Sequence, residues 1–277
     1  MSEEIPLAGV VGHPIAHSRS PALHGHWLAR YGIKGHYVPL GIAPQHFETA
    51  VRSLPKLGFK GINVTLPYKE TMLSMADQVS DRAALIGAAN TISFREGGGI
   101  YADNTDGYGF LENLESSARW WRAKAGPALV LGAGGAARAV VVALLQAGVP
   151  ELRLANRTRG RAETLAEQFG AKVQVIDWNR AEDAMAGAAT IVNTTSLGME
   201  GGPEMTLGFR AASRDALATD IVYTPLETPF LVEARAAGLR TVDGLGMLLH
   251  QGVPGFRQWF GVRPDVDDAL RHAVLGA

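Results

Sequence analysis

Residues 128–139 read ALVLGAGGAARA, in which an apolar run of strand length leads through a glycine cluster into an apolar helix. This arrangement matches the glycine fingerprint of dinucleotide-binding βαβ units, with Ala137 at the third small position. Gly132 allows the tight turn, Gly134 lets a pyrophosphate approach the backbone, and the N-terminus of the following helix offers N–H donors. An ordinary strand-to-helix turn is the alternative, and the strand before and the helix after the glycines favour the fingerprint.

The segment after the next predicted strand indicates which dinucleotide is bound. An NAD-binding domain places Asp or Glu about 20 residues after the fingerprint, but this chain has Asn156, Arg157 and Thr158, with Arg159 and Arg161 just after. A carboxylate repels a 2′-phosphate, whereas arginines bind it through charge-assisted hydrogen bonds. We therefore expect NADP(H) rather than NAD(H). The alternative is that these arginines form a solvated helix start.

Strand-length apolar runs alternate with helix-period segments on both sides of the fingerprint, which predicts an α/β fold with two domains. Strands are expected first at residues 7–12, 36–40 and 58–65, with a hairpin at 91–94 and 100–102, and then at 128–131, 152–156, 173–176, 189–194 and 217–222. We expect Ser20 to cap the first helix.

The first domain, residues 1–106 plus 243–277, is the predicted substrate domain with a mostly parallel sheet. Residues 107–242 form the predicted Rossmann-type NADP-binding domain. Helices near 245–260 and 265–274 bring no strand of their own, so we expect them to return to the first domain.

Composition excludes several classes of function. The 277 residues are 47% hydrophobic and 19% charged with a net charge of -1, which suits a globular protein and argues against a nucleic-acid or membrane partner. Without cysteine the chain has no disulfide or thiolate chemistry. The acidic start at residues 1–4 does not fit a signal peptide, so we expect a cytoplasmic protein. Although histidines are concentrated in the first 46 residues, no carboxylate lies between Glu4 and Glu48, and we expect no metal site.

Polar clusters follow the predicted strands of the first domain. They are His17–Pro21, Asn63–Lys69, Gly87–Thr91 and Asn104–Gly107. Ligands of open α/β sheets bind outside the carboxyl ends of strands. Hydroxyls, amides and a carboxylate bind substrate hydroxyls, and Arg19 and Lys69 are the cations available for an anion. Each cluster alone could be a cap or a turn, but together they predict a small polyhydroxylated acid as the substrate.

Taken together, these motifs resemble those of the shikimate dehydrogenase family. The resemblance runs from residue 9 to residue 251 in the family's order. It is carried by GHPIAHSRSPALH (12–24), NVTLPYK (63–69), GAANT (87–91), NTD (104–106), GAGGA (132–136), NRT (156–158), NTTSLGM (193–199), DIVY (220–223) and DGLGMLLHQ (243–251). One departure is Gly25, where the family usually has Asn. Gly within a helix costs about 1 kcal/mol relative to Ala.

The resemblance implies NADPH-dependent reduction of 3-dehydroshikimate to shikimate, a step of aromatic amino-acid biosynthesis, with Lys69 as general acid and base and Asp106 as its partner. The implied substrate residues are Ser18, Ser20, Asn63, Thr65, Lys69, Asn90, Asp106, Tyr223 and Gln251. The implied cofactor residues are Gly132, Ala133, Gly134, Gly135, Ala136, Asn156, Arg157, Thr158, Arg161, Asn193, Thr194, Ser196, Ile221, Tyr223, Gly244 and Met247.

Two other functions stay open at this stage. One is a broad quinate/shikimate or aminoshikimate dehydrogenase, although serine at both Ser18 and Ser20 favours shikimate. The other is a non-catalytic NADPH-sensing regulatory module, which should have lost the pair of Lys69 and Asp106; both residues are present. We expect a monomer or a homodimer.

Overall fold

The computed structural model describes residues 5–276, so the acidic segment 1–4 lies outside the described residues. The chain divides into two compact units. Unit 1 runs to Thr105 and resumes at Leu249, and unit 2 is Asp106–Leu248. The second division falls later than the predicted boundary at residue 243. The reason is local packing: the side-chain amide of Asn113 donates to the carbonyl of Asp243 (2.8 Å), and Met247 joins the core of unit 2.

Unit 1 contains one six-stranded sheet. Its strands are β1 (Leu7–Gly12), β2 (His36–Gly41), β3 (Phe59–Val64), β4 (Gln78–Val79), β5 (Thr91–Phe94) and β6 (Ile100–Asp103). The order across the sheet is β2-β1-β3-β5-β6-β4. Strands β2, β1 and β3 are parallel, as are β4 and β6, while β5 runs antiparallel to β3 and β6. The mostly parallel sheet and the β5–β6 hairpin confirm the predicted architecture.

Helices cover this sheet, and two come from the end of the chain. They are α1 (Ser20–Arg30), α2 (Phe47–Ser53), α3 (Lys69–Met75), α4 (Asp81–Ile86), α9 (Leu245–Phe260), which starts in unit 2, and α10 (Asp268–Leu275). The indole N–H of Trp259 donates to the carbonyl of Ile92 (3.0 Å), which ties α9 to β5. The indole N–H of Trp27 on α1 donates to the carbonyl of Asp265 (2.9 Å). The predicted return of the C-terminal helices is therefore confirmed.

Unit 2 is a doubly wound α/β unit. Its elements in chain order are α5 (Asp106–Ser117), β7 (Ala128–Leu131), α6 (Gly135–Gln146), β8 (Leu152–Ala155), α7 (Arg159–Phe169), β9 (Val173–Ile176), β10 (Thr190–Asn193), β11 (Leu217–Asp220), α8 (Pro229–Ala236) and β12 (Arg240–Val242). The six strands are all parallel in the order β12-β11-β10-β7-β8-β9. This is the Rossmann order, in which the chain reverses direction across the sheet between β7 and β10.

Two elements of unit 2 were not predicted from the sequence. Strand β12 has only three residues, two of them polar, which is too short for a periodic signal. Helix α8 carried a readable start signal, because Thr228 caps it by accepting a hydrogen bond from the backbone N–H of Leu231 and Pro229 is its first residue. No helix in residues 5–276 is long and apolar enough to span a membrane.

Candidate active site

The loop between β3 and α3 carries Thr65 and ends at Lys69, the first residue of α3. It is joined to the end of β1 and to the loop after it by two backbone hydrogen bonds, from Thr65 N to Val11 O (2.9 Å) and from His13 N to Leu66 O (3.1 Å). A Cβ on Gly12 would lie 2.6 Å from the Cγ2 of Thr65, so only glycine permits this close approach. The fold therefore places the chain at the end of β1, which leads into the first polar cluster, against the second cluster.

Lys69 is half-buried at the start of α3, just after the loop that follows β3. Its backbone carbonyl accepts a hydrogen bond from Ala89 N (2.9 Å), which holds the start of α3 against the segment that leads into β5. Asp106, its predicted partner, is the first residue of α5 in unit 2 and is 9% exposed. The pairing of Lys69 with Asp106 stays a prediction.

Asn63 and Asn90, two predicted substrate residues, meet through Thr91. Asn63, the fifth residue of β3, stands opposite Thr91, the first residue of β5, in the antiparallel register. The side-chain amide of Asn63 donates to the carbonyl of Asn90 (3.1 Å) and to the hydroxyl of Thr91 (3.2 Å). The hydroxyl of Thr91 donates in turn to the Oδ1 of Asn90 (2.9 Å). Since all three side chains are at most 5% exposed, this is a buried polar network.

The network continues to α9. The backbone N–H of Thr105 donates to the Oδ1 of Asn90 (2.8 Å), and the hydroxyl of Thr105 donates to the carbonyl of Gln251 (2.9 Å). The Nδ2 of Asn90 lies 3.5 Å from the Oε1 of Gln251. Residues from three polar clusters and from the C-terminal helix thus lie together in unit 1.

The turn that carries Thr105 is fixed by a buried carboxylate. Asp103, 2% exposed, accepts hydrogen bonds from the guanidinium of Arg82, from the hydroxyl of Ser80 (2.6 Å) and from the backbone N–H of Asn104 (2.7 Å). Burial alone would raise the pKa of Asp103, but these donors and the charge of Arg82 hold it below its ordinary value. The side chain of Asn104 donates to the carbonyl of Ala88 (2.9 Å), which links the turn to the segment before β5.

Ser18 and Ser20 flank the start of α1. The helix is capped at Arg19, and Ser20 is its first residue, so the prediction that Ser20 caps the helix was wrong. The hydroxyl of Ser18 instead lies 3.4 Å from the backbone N–H of Ser20, as its acceptor. The guanidinium of Arg19 donates to the carbonyls of Val274 (2.6 Å) and Leu275 (3.3 Å) at the C-terminus of α10, where a cation is favoured. These contacts give Arg19 a structural role that the sequence did not predict.

A buried aromatic cluster contacts the segment that carries Ser18 and Ser20. His24 is fully buried, and its ring stacks on Tyr37 with centroids 3.9 Å apart. Burial lowers the pKa of His24 to about 3 against a smaller opposing effect of the Asn63 side chain, so the ring is neutral. The hydroxyl of Tyr37 donates to the Oδ1 of Asn63 (2.7 Å), and the hydroxyl of Ser20 lies beside Tyr37, where it opposes the rise in the pKa of Tyr37 that burial causes.

In unit 2 the predicted cofactor residues follow the carboxyl ends of the parallel strands. Gly132–Ala136 follows β7, Asn156–Thr158 follows β8, Asn193 ends β10 before Thr194 and Ser196, Ile221 and Tyr223 follow β11, and Gly244 follows β12. Met247 is 9% exposed and packs in the core of unit 2.

The glycine loop lies where the chain reverses direction between β7 and β10. Gly132 has a φ of +110°, and a Cβ there would lie 2.6 Å from the Oγ1 of Thr194. That hydroxyl donates to the carbonyl of Leu131 (2.7 Å), so the two loops pack closely. A Cβ on Gly134 or Gly135 would meet nothing within 4 Å, which leaves open space at the N-terminus of α6. This is the cradle that a pyrophosphate needs.

The basic segment after β8 divides into two kinds of arginine. Arg159 forms ion pairs with Glu163 (2.7 Å) and Asp177. Arg157 and Arg161 are exposed and form no ion pair with any residue between 5 and 276. These two side chains are therefore available to a phosphate.

A buried carboxylate joins the loops after β10 and β11. Asp220, 1% exposed, accepts hydrogen bonds from the side-chain amide of Asn193 (3.1 Å), the hydroxyl of Thr228 (2.7 Å) and the backbone N–H of Val222 (2.9 Å). Burial raises its pKa above the ordinary value in spite of these donors. The Oδ1 of Asn193 accepts from Thr195 N (3.0 Å), so both loops are fixed from one point.

Sequence reasoning missed Tyr37, Thr91, Thr105 and Asp220. Thr91, Thr105 and Asp220 lie in the motifs GAANT (87–91), NTD (104–106) and DIVY (220–223), in which only neighbouring residues are predicted to belong to the site. No set of three or more histidine and carboxylate side chains in the described part of the chain could hold a metal ion.

A Rossmann-ordered parallel sheet combined with a separate unit rich in hydroxyl-binding side chains is typical of α/β oxidoreductases. Family profiles narrow the class. The shikimate dehydrogenase substrate binding domain matches residues 10–92, shikimate/quinate 5-dehydrogenase matches 116–199, and the shikimate 5′-dehydrogenase C-terminal domain matches 244–274.

Individual relatives agree over the whole length. The chain is 62% identical over 270 residues to the shikimate dehydrogenase (NADP(+)) of Paracoccus denitrificans, covering 98% of this chain and 96% of that one. Among solved structures, the Thermus thermophilus shikimate 5-dehydrogenase in complex with NADP(H) and shikimate has a TM-score of 0.87 at 40% identity, covering 98% and 99% of the two chains. The Corynebacterium glutamicum quinate dehydrogenase in complex with NAD has a TM-score of 0.91 at 33% identity, covering 99% and 100%. This chain belongs to the shikimate dehydrogenase family.

Proposed function

We propose that this protein catalyses the reversible NADPH-dependent reduction of 3-dehydroshikimate to shikimate. The proposal rests on one combination of features: a lysine at the start of α3, whose carbonyl is bonded to Ala89 next to a buried cluster of amides and hydroxyls, in a chain that also carries a Rossmann sheet with an open glycine loop. The first group suits a polyhydroxylated carbonyl substrate, and the second suits a dinucleotide. The relatives' names support the same reaction.

Lys69 is the proposed proton donor and acceptor. Reduction of a ketone needs a hydride at carbon, which the nicotinamide supplies when bound, and a proton at oxygen. The ammonium group of Lys69 polarises the carbonyl, protonates the oxygen as negative charge develops, and takes the proton back in the reverse direction. Asp106 is its proposed partner, which orients the ammonium group and accepts a hydrogen bond from a substrate hydroxyl.

We assign substrate binding to residues 1–106 with 243–277. Ser18, Ser20, Thr65, Asn90 and Gln251 are the proposed ligands of the substrate's hydroxyl and carboxylate groups. Tyr223, from residues 107–242, is a further proposed ligand. Asn63 contributes through Asn90, because both hydrogens of its amide are used inside the protein. Fixed polar groups of this kind position the carbonyl for reaction.

We assign dinucleotide binding to residues 107–242. The open space at Gly134 and Gly135 fits a pyrophosphate at the N-terminus of α6. Arg157 and Arg161, with Asn156 and Thr158, are the proposed ligands of the 2′-phosphate. The loops that Asp220 joins, which carry Ser196, Ile221 and Tyr223, are the proposed nicotinamide contacts.

A quinate-using enzyme is the second candidate, because the quinate dehydrogenase structure matches with the TM-score of 0.91. Initial rates with shikimate and with quinate, each with NADP+ and with NAD+, separate the two. We expect turnover with shikimate and NADP+ to exceed every other pair by at least about tenfold in kcat/KM, the effect of one good hydrogen bond to a charged group. Equal rates with quinate or NAD+ would contradict the specificity. Aminoshikimate belongs in the same panel.

A cytoplasmic location, a monomeric or homodimeric state and the lack of a nucleic-acid partner stay predictions. A non-catalytic NADPH-sensing role is the alternative of another class. It predicts that NADPH binds while no substrate of the panel turns over.

A further inference from the structure

Thr91 occupies the centre of the buried network in unit 1. It is 1% exposed and stands between two strands, opposite Asn63 of β3 and Asp103 of β6. Its hydroxyl accepts a hydrogen bond from the Nδ2 of Asn63 (3.2 Å) and donates to the Oδ1 of Asn90 (2.9 Å). It also lies 2.9 Å from the hydroxyl of Thr105, where either oxygen can be the donor. A hydroxyl has one hydrogen to donate, so while Thr91 donates to Asn90 it can only accept from Thr105.

The orientation of the Asn90 amide follows from its acceptors. Its Oδ1 accepts from the hydroxyl of Thr91 (2.9 Å) and from the backbone N–H of Thr105 (2.8 Å), which fills both lone pairs. The hydroxyl of Thr105 lies closer to the carbonyl of Gln251 (2.9 Å) and to the hydroxyl of Thr91 (2.9 Å) than to this oxygen (3.2 Å), so its hydrogen goes to one of those two groups. A flipped amide would place an N–H group against the backbone N–H of Thr105. The nitrogen of Asn90 therefore faces the Gln251 side of the network.

Asn63, on the neighbouring strand β3, contacts both Thr91 and Asn90. Its two amide hydrogens go to the carbonyl of Asn90 (3.1 Å) and to Thr91 (3.2 Å), and its oxygen accepts from the hydroxyl of Tyr37 (2.7 Å). Tyr37 thus orients Asn63, Asn63 orients the hydroxyl of Thr91, and that hydroxyl orients Asn90. Every step is a hydrogen bond between groups that are at most 8% exposed.

We propose that Thr91 is a positioning residue that fixes Asn90 as a hydrogen-bond donor toward the substrate. The inference rests on the proposed function and adds the direction of the hydrogen bond between Asn90 and the substrate. The substrate group that meets Asn90 must be an acceptor, such as a carbonyl, a carboxylate or a hydroxyl lone pair. Asn63 acts on the substrate only through Thr91 and Asn90.

Thr91→Val and Thr91→Ser test the proposal as a matched pair. Valine keeps the shape and removes the hydroxyl, whereas serine keeps the hydroxyl. We expect Thr91→Val to raise the KM for shikimate at least about tenfold while the KM for NADP+ changes less than about twofold. Thr91→Ser should stay within about threefold of the wild type in both. An unchanged KM for shikimate in Thr91→Val, or an equal rise in Thr91→Ser, would overturn the proposal.

Two further arms keep the proposal testable if the valine variant is unstable or the substrate is wrong. Asn90→Asp places an acceptor where a donor is required, so its KM for shikimate should rise at least about tenfold with the KM for NADP+ unchanged. A wild-type KM for shikimate would contradict the proposed polarity.

In NMR spectra without substrate, the side-chain amide protons of Asn63 and Asn90 should exchange with water faster in Thr91→Val than in the wild type. Equal exchange would overturn the role of Thr91. A wild type that does not oxidise shikimate would instead overturn the proposed function, and the NMR comparison would still decide on Thr91.

Discussion

At the scale of single residues, the function of a side chain in the site depends on the ion pairs and hydrogen bonds that it already forms within the folded chain. Arg159 and Arg157 are two residues apart in the chain, yet Arg159 is paired with two carboxylates and Arg157 forms no ion pair within the described residues. Asn63 and Asn90 show the same division between a side chain used internally and one that a network orients. The residue type determines which chemistry is possible. The ion pairs and hydrogen bonds of each residue determine which of them is available for that chemistry.

Lys69→Ala tests the proposed proton donor. Because a general acid contributes about 10²–10⁴ to the rate, kcat for shikimate oxidation should fall by that factor. The affinity for NADP+, measured by titration of protein fluorescence, should not change. Lys56→Ala, an exposed lysine before β3, is the control and should retain full turnover. Turnover of Lys69→Ala within about threefold of the control would reject the assignment.

The arginines after β8 give a second prediction at this scale. Arg157→Ala should raise the KM for NADP+ by about 10- to 100-fold, since a charged hydrogen bond contributes about 1.5–3 kcal/mol. Arg159→Ala should raise it by less than about threefold, because its guanidinium is engaged with Glu163 and Asp177 on the surface. The KM for NAD+ is the control for both variants. A rise in Arg159→Ala as large as in Arg157→Ala would show that Arg159 leaves its carboxylates to bind the phosphate.

At the scale of elements, the packing of α1 separates two kinds of helical glycine. A Cβ on Gly25 would meet nothing within 4 Å, whereas a Cβ on Gly252 of α9 would lie 2.9 Å from the Cδ2 of Leu23 on α1. Gly25 therefore weakens α1 without serving a contact, and Gly252 allows α9 to approach α1.

Gly25→Ala should stabilise the protein by about 1 kcal/mol, the difference in helix propensity between the two residues. Gly252→Ala gains the same propensity but meets the side chains of α1, so it should be less stable than Gly25→Ala. Urea unfolding midpoints of the two variants and the wild type measure both effects. A midpoint for Gly25→Ala at or below that of the wild type would contradict the open space at this position.

Elements with strong local signals could be predicted from the sequence. The fingerprint at 128–139 predicted β7 and α6, because strand, glycines and helix lie next to one another in the chain. Strand β12 could not be found, since three residues form a strand only when β11 lies beside them. The network around Thr91 was also beyond reach, because it joins β3, β5 and α9, whose registers depend on the folded sheet.

At the scale of the whole molecule, the buried ring of His24 makes the stability of the native state depend on pH. In the unfolded chain the imidazole takes up a proton below its ordinary pKa of 6.5, whereas in the native state burial lowers the pKa to about 3. Between these values the unfolded state binds more protons, so stability falls as the pH falls. Each pH unit in this window costs up to about 1.4 kcal/mol.

His24→Phe keeps an aromatic ring beside Tyr37 and does not titrate. The free energy of unfolding in urea should fall more steeply for the wild type than for His24→Phe between about pH 6.5 and about pH 4.5. The other titrating groups, including His250 and Asp220, are the same in both proteins and do not affect the difference. Parallel profiles would show that the ring of His24 finds a proton partner in the native state.

Formation of shikimate from 3-dehydroshikimate tests the proposed reaction. Purified protein is mixed with 3-dehydroshikimate and NADPH, and the product is identified by NMR while the loss of reduced nicotinamide is followed by absorbance. We expect one shikimate to form for each NADPH consumed. Binding of NADPH without formation of shikimate would rule out the proposed catalysis and favour the NADPH-sensing role.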